Sequence, residues 1–87
     1  MADYGKYCEI CGKRQATDNH HLICSTSERK ICDQYECMQI KICRECHSFI
    51  HQHDTAMKLS KMLGQALFEM NFSYQEYMQL FKKNYLP

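Results

Sequence analysis

The sequence predicts a small α+β domain, and three of its features point to that class. Two Cys-x-x-Cys pairs, beginning at Cys8 and Cys43, enclose a short apolar stretch whose alternation is typical of a β-strand. After residue 54, apolar residues recur at steps of three and four, as they do on amphipathic helices. A chain of 87 residues buries only a marginal core, so a staple between the cysteine pairs is expected.

The cysteines favour zinc over disulfides as that staple. The chain has seven cysteines, an odd number, and no apolar leader opens it, which predicts a reduced, cytoplasmic protein. Each Cys-x-x-Cys pair has the form of a zinc knuckle, in which a tight turn directs two thiolates at one ion. Gly12 permits a left-handed bend after the first pair. We therefore predict a zinc-stabilised domain whose structural Zn²⁺ binds the four-cysteine site, formed by Cys8, Cys11, Cys43 and Cys46.

The other cysteines, Cys24, Cys32 and Cys37, lack this spacing. Free cysteine behaves as a small buried hydrophobic residue, and we predict that role for all three. A second interpretation is a further zinc site made of these three thiols and one histidine. If His20 were that histidine, the histidine site predicted below would not form.

A hairpin and a short helix are predicted between the cysteine pairs. We interpret two apolar pieces as the antiparallel arms of the hairpin, Leu22–Cys24 and Ile40–Ile42. Their connection is too long for a bare turn, and Ser27 followed by Glu28 indicates the capped start of a helix over about 28–36.

Three further helices follow. The first spans about 46–53; the second spans about 55–71 with Asp54 as its cap; the third begins at a capping box over 73–76. We expect the apolar residues of the second helix to face the core, and a dimer or partner surface over 54–87 is the alternative. These residues are Leu59, Met62, Leu63, Ala66, Leu67 and Met70.

Four histidines could perform hydrolysis. His47 and His51 lie one helical turn apart, where two side chains can share a metal ion, and His20 would complete this histidine site. A divalent ion there with open positions can bind a phosphate oxygen and stabilise the departing oxygen. His21 would face the other side of the strand and take a proton from the attacking water. The alternative for His21 is a structural histidine.

The ordered motifs Cys8-x-x-Cys11, His20-His21-Leu22, Cys43-x-x-Cys46-His47 and His51 resemble the HNH endonuclease family in its zinc-knuckle form, the ββα-metal fold. The resemblance covers roughly residues 8–53, with 54–87 as a C-terminal helical extension of a single domain, 1–87. It implies a metal-dependent enzyme that hydrolyses phosphodiester bonds in DNA. A weaker likeness at Arg29-Lys30 and Asn84-Tyr85-Leu86 is to small HNH-type proteins of bacteriophages and prophages.

By that resemblance His21 is the general base, and the histidine site holds the catalytic ion. Imidazoles suit Zn²⁺, Ni²⁺, Co²⁺ or Mn²⁺ better than Mg²⁺, which prefers oxygen donors. The sequence departs from the family at Met38, where the motif's asparagine would orient the base. Gln39 or a backbone carbonyl is expected to hold His21 instead.

The formal net charge of +1 gives no general indication of a polyanionic partner. No apolar run approaches the roughly 18 residues that span a bilayer, so no membrane association is predicted.

The basic residues expected to contact DNA phosphates, or else to form ordinary solvated surface, are Arg29, Lys30, Lys41 and Arg44. Two other functions remain: a non-catalytic zinc module that acts as a nucleic-acid or protein adaptor, and an interaction protein that works through the 54–87 helices.

Overall fold

In the part of the chain that the structure describes, four α-helices surround one antiparallel pair of strands. The computed structural model describes residues 6–23 and 26–87. Its elements are β1 (Asp18–His21), α1 (Thr26–Cys32), a 3₁₀ turn (Glu36–Met38), β2 (Gln39–Ile42), α2 (Arg44–Gln52), α3 (Asp54–Asn71) and α4 (Tyr74–Phe81). The predicted α+β class is confirmed as a small, compact structure of this kind. Among the described residues, no helix is both long and apolar enough to cross a membrane.

The hairpin pairs β1 with β2, with His20 opposite Ile40 and His21 opposite Gln39. Alternation along β1 therefore directs His20 and His21 to opposite faces of the sheet. The predicted second arm is confirmed, but the first arm, placed at Leu22–Cys24, is wrong. Leu22 and Ile23 are fully buried beyond the end of β1, because they turn into the core that α3 covers. Cys24 lies outside the described residues.

The helix boundaries follow local capping. The predicted helix over 28–36 is shorter and earlier, Thr26–Cys32, so Ser27 lies inside it and is not the residue before it. Helix α2 begins before the predicted position because Cys43 is its N-cap, whose sulfur accepts the Cys46 amide at 3.4 Å. Helix α3 has the predicted extent, but its N-cap is His53, and Asp54 is instead an acidic first residue that favours the helix dipole.

The start of α4 matches its prediction. Ser73 is the N-cap, its hydroxyl oxygen accepts the Glu76 amide at 3.1 Å, and its hydroxyl donates to the Glu76 carboxylate. Tyr77 and Phe81 are buried against Phe68 of α3, with ring centroids 6.0 and 5.9 Å from it. The apolar face of α4 therefore packs in the core.

The buried face of α3 is not the predicted one. Leu59 and Met70 expose 59% and 80% of their surface, and Leu63 is exposed as well. The buried positions are Ser60, Gly64, Gln65 and Phe68. Small and hydrogen-bonded polar residues occupy this face because α3 passes close to the chain beyond β1.

The unassigned cysteines divide as follows. Cys32 is fully buried in the core, and Cys37 is partly buried against the same cluster, in agreement with their predicted apolar role. In the described part of the chain, His20 groups with two other histidines and not with these thiols. Among the described residues, His20 therefore does not join Cys32 and Cys37 in a zinc site; Cys24, the third thiol of that alternative, lies outside them.

Candidate metal centres

The four-cysteine site joins a loop to the start of a helix. Cys8 and Cys11 come from the N-terminal knuckle, whereas Cys43 and Cys46 come from the first turn of α2. The four sulfur atoms lie within 4.8 Å of one another. Gly12 has φ of 66°, so the predicted left-handed bend is confirmed. The geometry and the donor set suit a tetrahedral Zn²⁺.

Backbone amides and one guanidinium lie close to sulfur atoms of this site. Cys8 Sγ accepts the backbone amides of Ile10 at 3.4 Å and Cys11 at 3.5 Å. The Arg14 guanidinium lies 3.7 Å from Cys11 Sγ and 3.9 Å from Cys43 Sγ. Four thiolates on one divalent ion leave surplus negative charge, which these donors stabilise.

The thiols also differ in acidity. Burial tends to raise the pKa of Cys8, but backbone amide donors outweigh it and lower that pKa to about 6. Burial and the neighbouring thiols raise the pKa of Cys46. Four crowded thiols cannot all ionise without a cation among them, and a bound divalent ion removes that restriction.

The histidine site joins the sheet to α2. His20 from β1 meets His47 and His51 from α2, and one nitrogen of each lies within 4.8 Å of the others. The ring centroids are 5.2 Å (His20 to His47), 5.6 Å (His20 to His51) and 4.9 Å (His47 to His51) apart. His20 is fully buried and His51 is exposed, so the cluster has a closed side and an open side.

These imidazoles are suited to binding a cation. Burial, followed by the neighbouring histidines, lowers the pKa of His20 to about 4, and burial followed by His47 lowers the pKa of His51. Neutral imidazoles keep a lone pair for a metal. A set of three nitrogen donors suits Zn²⁺, Ni²⁺ or Co²⁺.

Asp18 orients one of these histidines and was missed by the sequence reasoning. Its Oδ2 lies 2.8 Å from His47 Nδ1 and also accepts Arg44 Nε at 2.8 Å. Arg44, followed by His47, lowers the pKa of Asp18 to about 2. The carboxylate accepts the Nδ1 proton, so Nε2 of His47 carries the lone pair. Alternation along β1 places Asp18 on the face of His20, a signal that could have found it.

His21 lies on the other face of the sheet. Its Nε2 is 2.5 Å from Oδ1 of Asp33, a residue just beyond α1 that the sequence reasoning did not single out. The expected partner, Gln39, uses its amide differently. Its oxygen accepts Asn19 Nδ2, and its nitrogen donates to the Cys32 carbonyl, each at 2.8 Å. The Asp33 carboxylate therefore contacts the His21 ring, for which Gln39 was an expected partner.

A cleft of about 280 Å³ lies beside both His21 and the histidine site. Its lining residues are Asn19, His21, Arg29, His47 and His51. His21 thus borders the same open space as two residues of the histidine site. The cleft offers imidazoles and one guanidinium to a ligand, a combination that suits an anion beside a metal ion.

Comparisons of the chain with protein-family models, curated proteins and solved structures found no match. The likeness to the HNH family therefore stays a prediction. Function has to be inferred from the geometry of the two sites and from the groups that line the cleft.

Met38, at the position of the motif's asparagine, is fully buried in the core. Its thioether offers no strong hydrogen bond to a histidine ring. Its backbone carbonyl, however, accepts the Leu22 amide at 2.8 Å and so braces the chain immediately after His21. The backbone thus supplies the bracing, and Asp33 supplies the contact to the ring.

The four basic residues expected at DNA have different surroundings. Arg29 lines the cleft, and Lys30 is exposed on α1. Lys41 Nζ donates to Asn19 Oδ1 at 3.0 Å, whereas Arg44 is paired with Asp18. Arg29 is therefore the best placed of the four to meet a ligand beside the histidines.

Proposed function

We propose that this protein is a metal-dependent endonuclease of the HNH type, with a ββα-metal core formed by β1, β2 and α2, that hydrolyses phosphodiester bonds in DNA. One observation carries the proposal: three histidine nitrogens lie within 4.8 Å of one another, and His21 borders the cleft beside them. This arrangement supplies a metal site, a base and an open space for substrate in one place.

His20, His47 and His51 would hold the catalytic divalent ion. When bound, such an ion supplies Lewis-acid stabilisation to a phosphate oxygen and to the departing oxygen. The protein's part is to keep three neutral imidazoles in place. Burial of His20 and the contact from Asp18 to His47 support that role.

His21 would act as the general base. Its imidazole takes a proton from a water molecule directed at the phosphorus, and the Asp33 carboxylate stabilises the imidazolium that results. Arg29 would bind the negatively charged phosphate at the cleft wall. Phosphate contacts of this type carry no base information, so cleavage with little sequence preference is expected.

Zn²⁺ in the four-cysteine site would have a structural role. Helix α2 and its N-cap carry two candidate ligands of each site, Cys43 and Cys46 for zinc and His47 and His51 for the catalytic ion. Zinc that fixes the first turn of α2 thereby also fixes the positions of both helical histidines.

Plasmid cleavage tests this proposal. Purified protein with one zinc per chain is assayed with Mg²⁺, Mn²⁺, Ni²⁺, Co²⁺ and Zn²⁺, alongside His21→Ala and the matched control His53→Ala. His53 lies outside both sites and its Nδ1 contacts the Phe49 carbonyl. We expect His21→Ala to lower the cleavage rate by about 100-fold or more, because general-base catalysis contributes on that order, and His53→Ala to cleave like the parent.

Two results would contradict the proposal. If His21→Ala cleaved DNA as fast as the parent, His21 would not be the base. If the folded, zinc-bearing parent cleaved nothing with any metal, the protein would not be a nuclease. The adaptor function would then be favoured. The observation that supports it is the buried Met38 side chain at the position of the motif's asparagine.

A further inference from the structure

A serine from the C-terminal extension reaches the histidine site. Ser60 lies on α3, outside the region that resembles the HNH motif, and its Oγ is 2.9 Å from His20 Nε2. The same hydroxyl donates to the Leu22 carbonyl at 2.7 Å. His20 is fully buried and Ser60 is 7% exposed, so these groups have little access to water.

The direction of these hydrogen bonds follows from counting protons. A serine hydroxyl has one proton, and a carbonyl oxygen can only accept. Ser60 therefore gives its proton to Leu22, and the contact to His20 needs a proton from the histidine. In a neutral imidazole with its proton on Nε2, the lone pair is on Nδ1.

We infer that Ser60 is a positioning residue that fixes His20 as the Nε2–H tautomer and so directs its Nδ1 lone pair at the ion shared with His47 and His51. The inference rests on the proposed metal-binding role of the histidine site and does not depend on DNA cleavage. Helix α3 is then part of the metal centre and not only a cover for the core.

The histidine site would accordingly bind the metal through Nε2 of His47 but through Nδ1 of His20. Asp18 accepts the Nδ1 proton of His47, which leaves Nε2 of His47 for the metal. Ser60 accepts the Nε2 proton of His20, which leaves Nδ1 of His20 for the metal. The two outer partners thus set opposite tautomers on two ligands that approach from a strand and a helix. A metal-bound histidine usually donates its other ring proton to such a partner.

The test uses zinc-loaded protein whose histidine site is empty. The ring ¹⁵N chemical shifts of His20 report its tautomer, and titration with Co²⁺ gives the affinity of the histidine site. The variants are Ser60→Ala, Ser60→Thr and the control Ser73→Ala, which removes the N-cap of α4 far from the site. Threonine in place of Ser60 keeps the hydroxyl, and residue 60 lines a groove of about 300 Å³.

In the parent we expect the Nε2–H tautomer of His20. Ser60→Ala should lose that preference and bind Co²⁺ about 10- to 100-fold more weakly, the usual effect of removing an outer hydrogen-bond partner. Ser60→Thr should restore most of the affinity. Ser73→Ala should lower the melting temperature and leave both readouts unchanged.

The Nδ1–H tautomer in the parent would overturn the inference, whether or not the variants fold. Parent-like Co²⁺ affinity in folded Ser60→Ala would overturn it as well. If no protein in the series bound Co²⁺ at the histidines, the proposed metal site itself would fail, a result distinct from an absence of DNA cleavage in the plasmid assay.

Discussion

Asp18 connects the histidine site to a charged neighbour, because it contacts both His47 and Arg44. Replacing Asp18 with Asn removes the negative charge that holds the Nδ1 proton of His47. We expect the histidine site to bind Co²⁺ about 10- to 100-fold more weakly, as is typical when the partner of a metal-bound histidine is changed. Calorimetric titration of the zinc-loaded protein measures this.

Arg44→Gln is the matched control for that substitution. It removes the guanidinium that pairs with Asp18 but leaves the carboxylate on His47, so its effect on Co²⁺ affinity should be much smaller. Arg44 is also one of the residues expected to contact DNA. Equal losses in Asp18→Asn and Arg44→Gln would mean that His47 does not depend on the Asp18 charge.

At the scale of single residues, the sequence predicted which cysteines and histidines come together better than it predicted the residues that hydrogen-bond to them. The four cysteines and His20, His47 and His51 are brought together as their spacing indicated. The two residues that hydrogen-bond to these histidines, Asp18 and Ser60, differ in whether the sequence indicates their position. Alternation along β1 could have predicted the position of Asp18. Ser60 lies 40 residues from His20, and only the packing of α3 brings it next to that histidine.

At the scale of elements, Gly64 allows α3 to approach the chain beyond β1. A Cβ atom at this position would lie 2.9 Å from Leu22 Cβ, 3.1 Å from Ile23 Cγ1 and 3.2 Å from Met38 Cε. Gly64→Ala gains about 1 kcal/mol of helix propensity but overpacks a rigid contact. We expect a net loss of about 1–2 kcal/mol in the free energy of unfolding, measured by denaturant titration.

The same substitution should also weaken Co²⁺ binding, since Gly64 lies one turn after Ser60 on the buried face of α3. Met70→Ala is the control, because Met70 is on the same helix and exposes 80% of its surface. It should change neither stability nor Co²⁺ affinity appreciably. A Gly64→Ala protein as stable as the parent would show that α3 can shift without cost.

Hydrophobic periodicity identified α3 but selected the wrong face. Leu59, Leu63 and Met70 are more apolar than Ser60 and Gln65, yet the latter are buried. Gln65 is tolerated there because it donates to Glu69 and Asn84 and accepts the Tyr85 amide. Periodicity measures apolarity, and it cannot detect a face buried through close approach and satisfied polar groups.

At the scale of the whole molecule, the core is divided. One buried cluster lies between the 3₁₀ turn and the C-terminal helices, around Met38, Phe68 and Tyr77. The other surrounds the four-cysteine site and includes Ile42 and Ile50. Chain length alone predicted that a staple was needed, and the four-cysteine site, whose donors suit zinc, lies within the second cluster, where few apolar residues are available.

Loss of zinc should therefore unfold the domain. A structural zinc contributes about 10–16 kcal/mol in small zinc peptides, whereas a whole domain is typically stable by about 5–15 kcal/mol. Removing all zinc with a strong chelator should abolish cooperative thermal melting, followed by circular dichroism. Cooperative melting at an unchanged temperature in verified zinc-free protein would contradict this.

Cys43→Ser separates zinc binding from helix capping. Serine is a good N-cap, so this variant can still accept the Cys46 amide at the start of α2, while the zinc loses one thiolate. We expect it to lose zinc and cooperative melting, and also Co²⁺ binding at the histidines, because α2 supplies ligands to both sites. Cys37→Ser, which changes a partly buried thiol outside the four-cysteine site, should keep all three properties. If Cys43→Ser kept Co²⁺ binding after losing zinc, the histidine site would form independently of the staple.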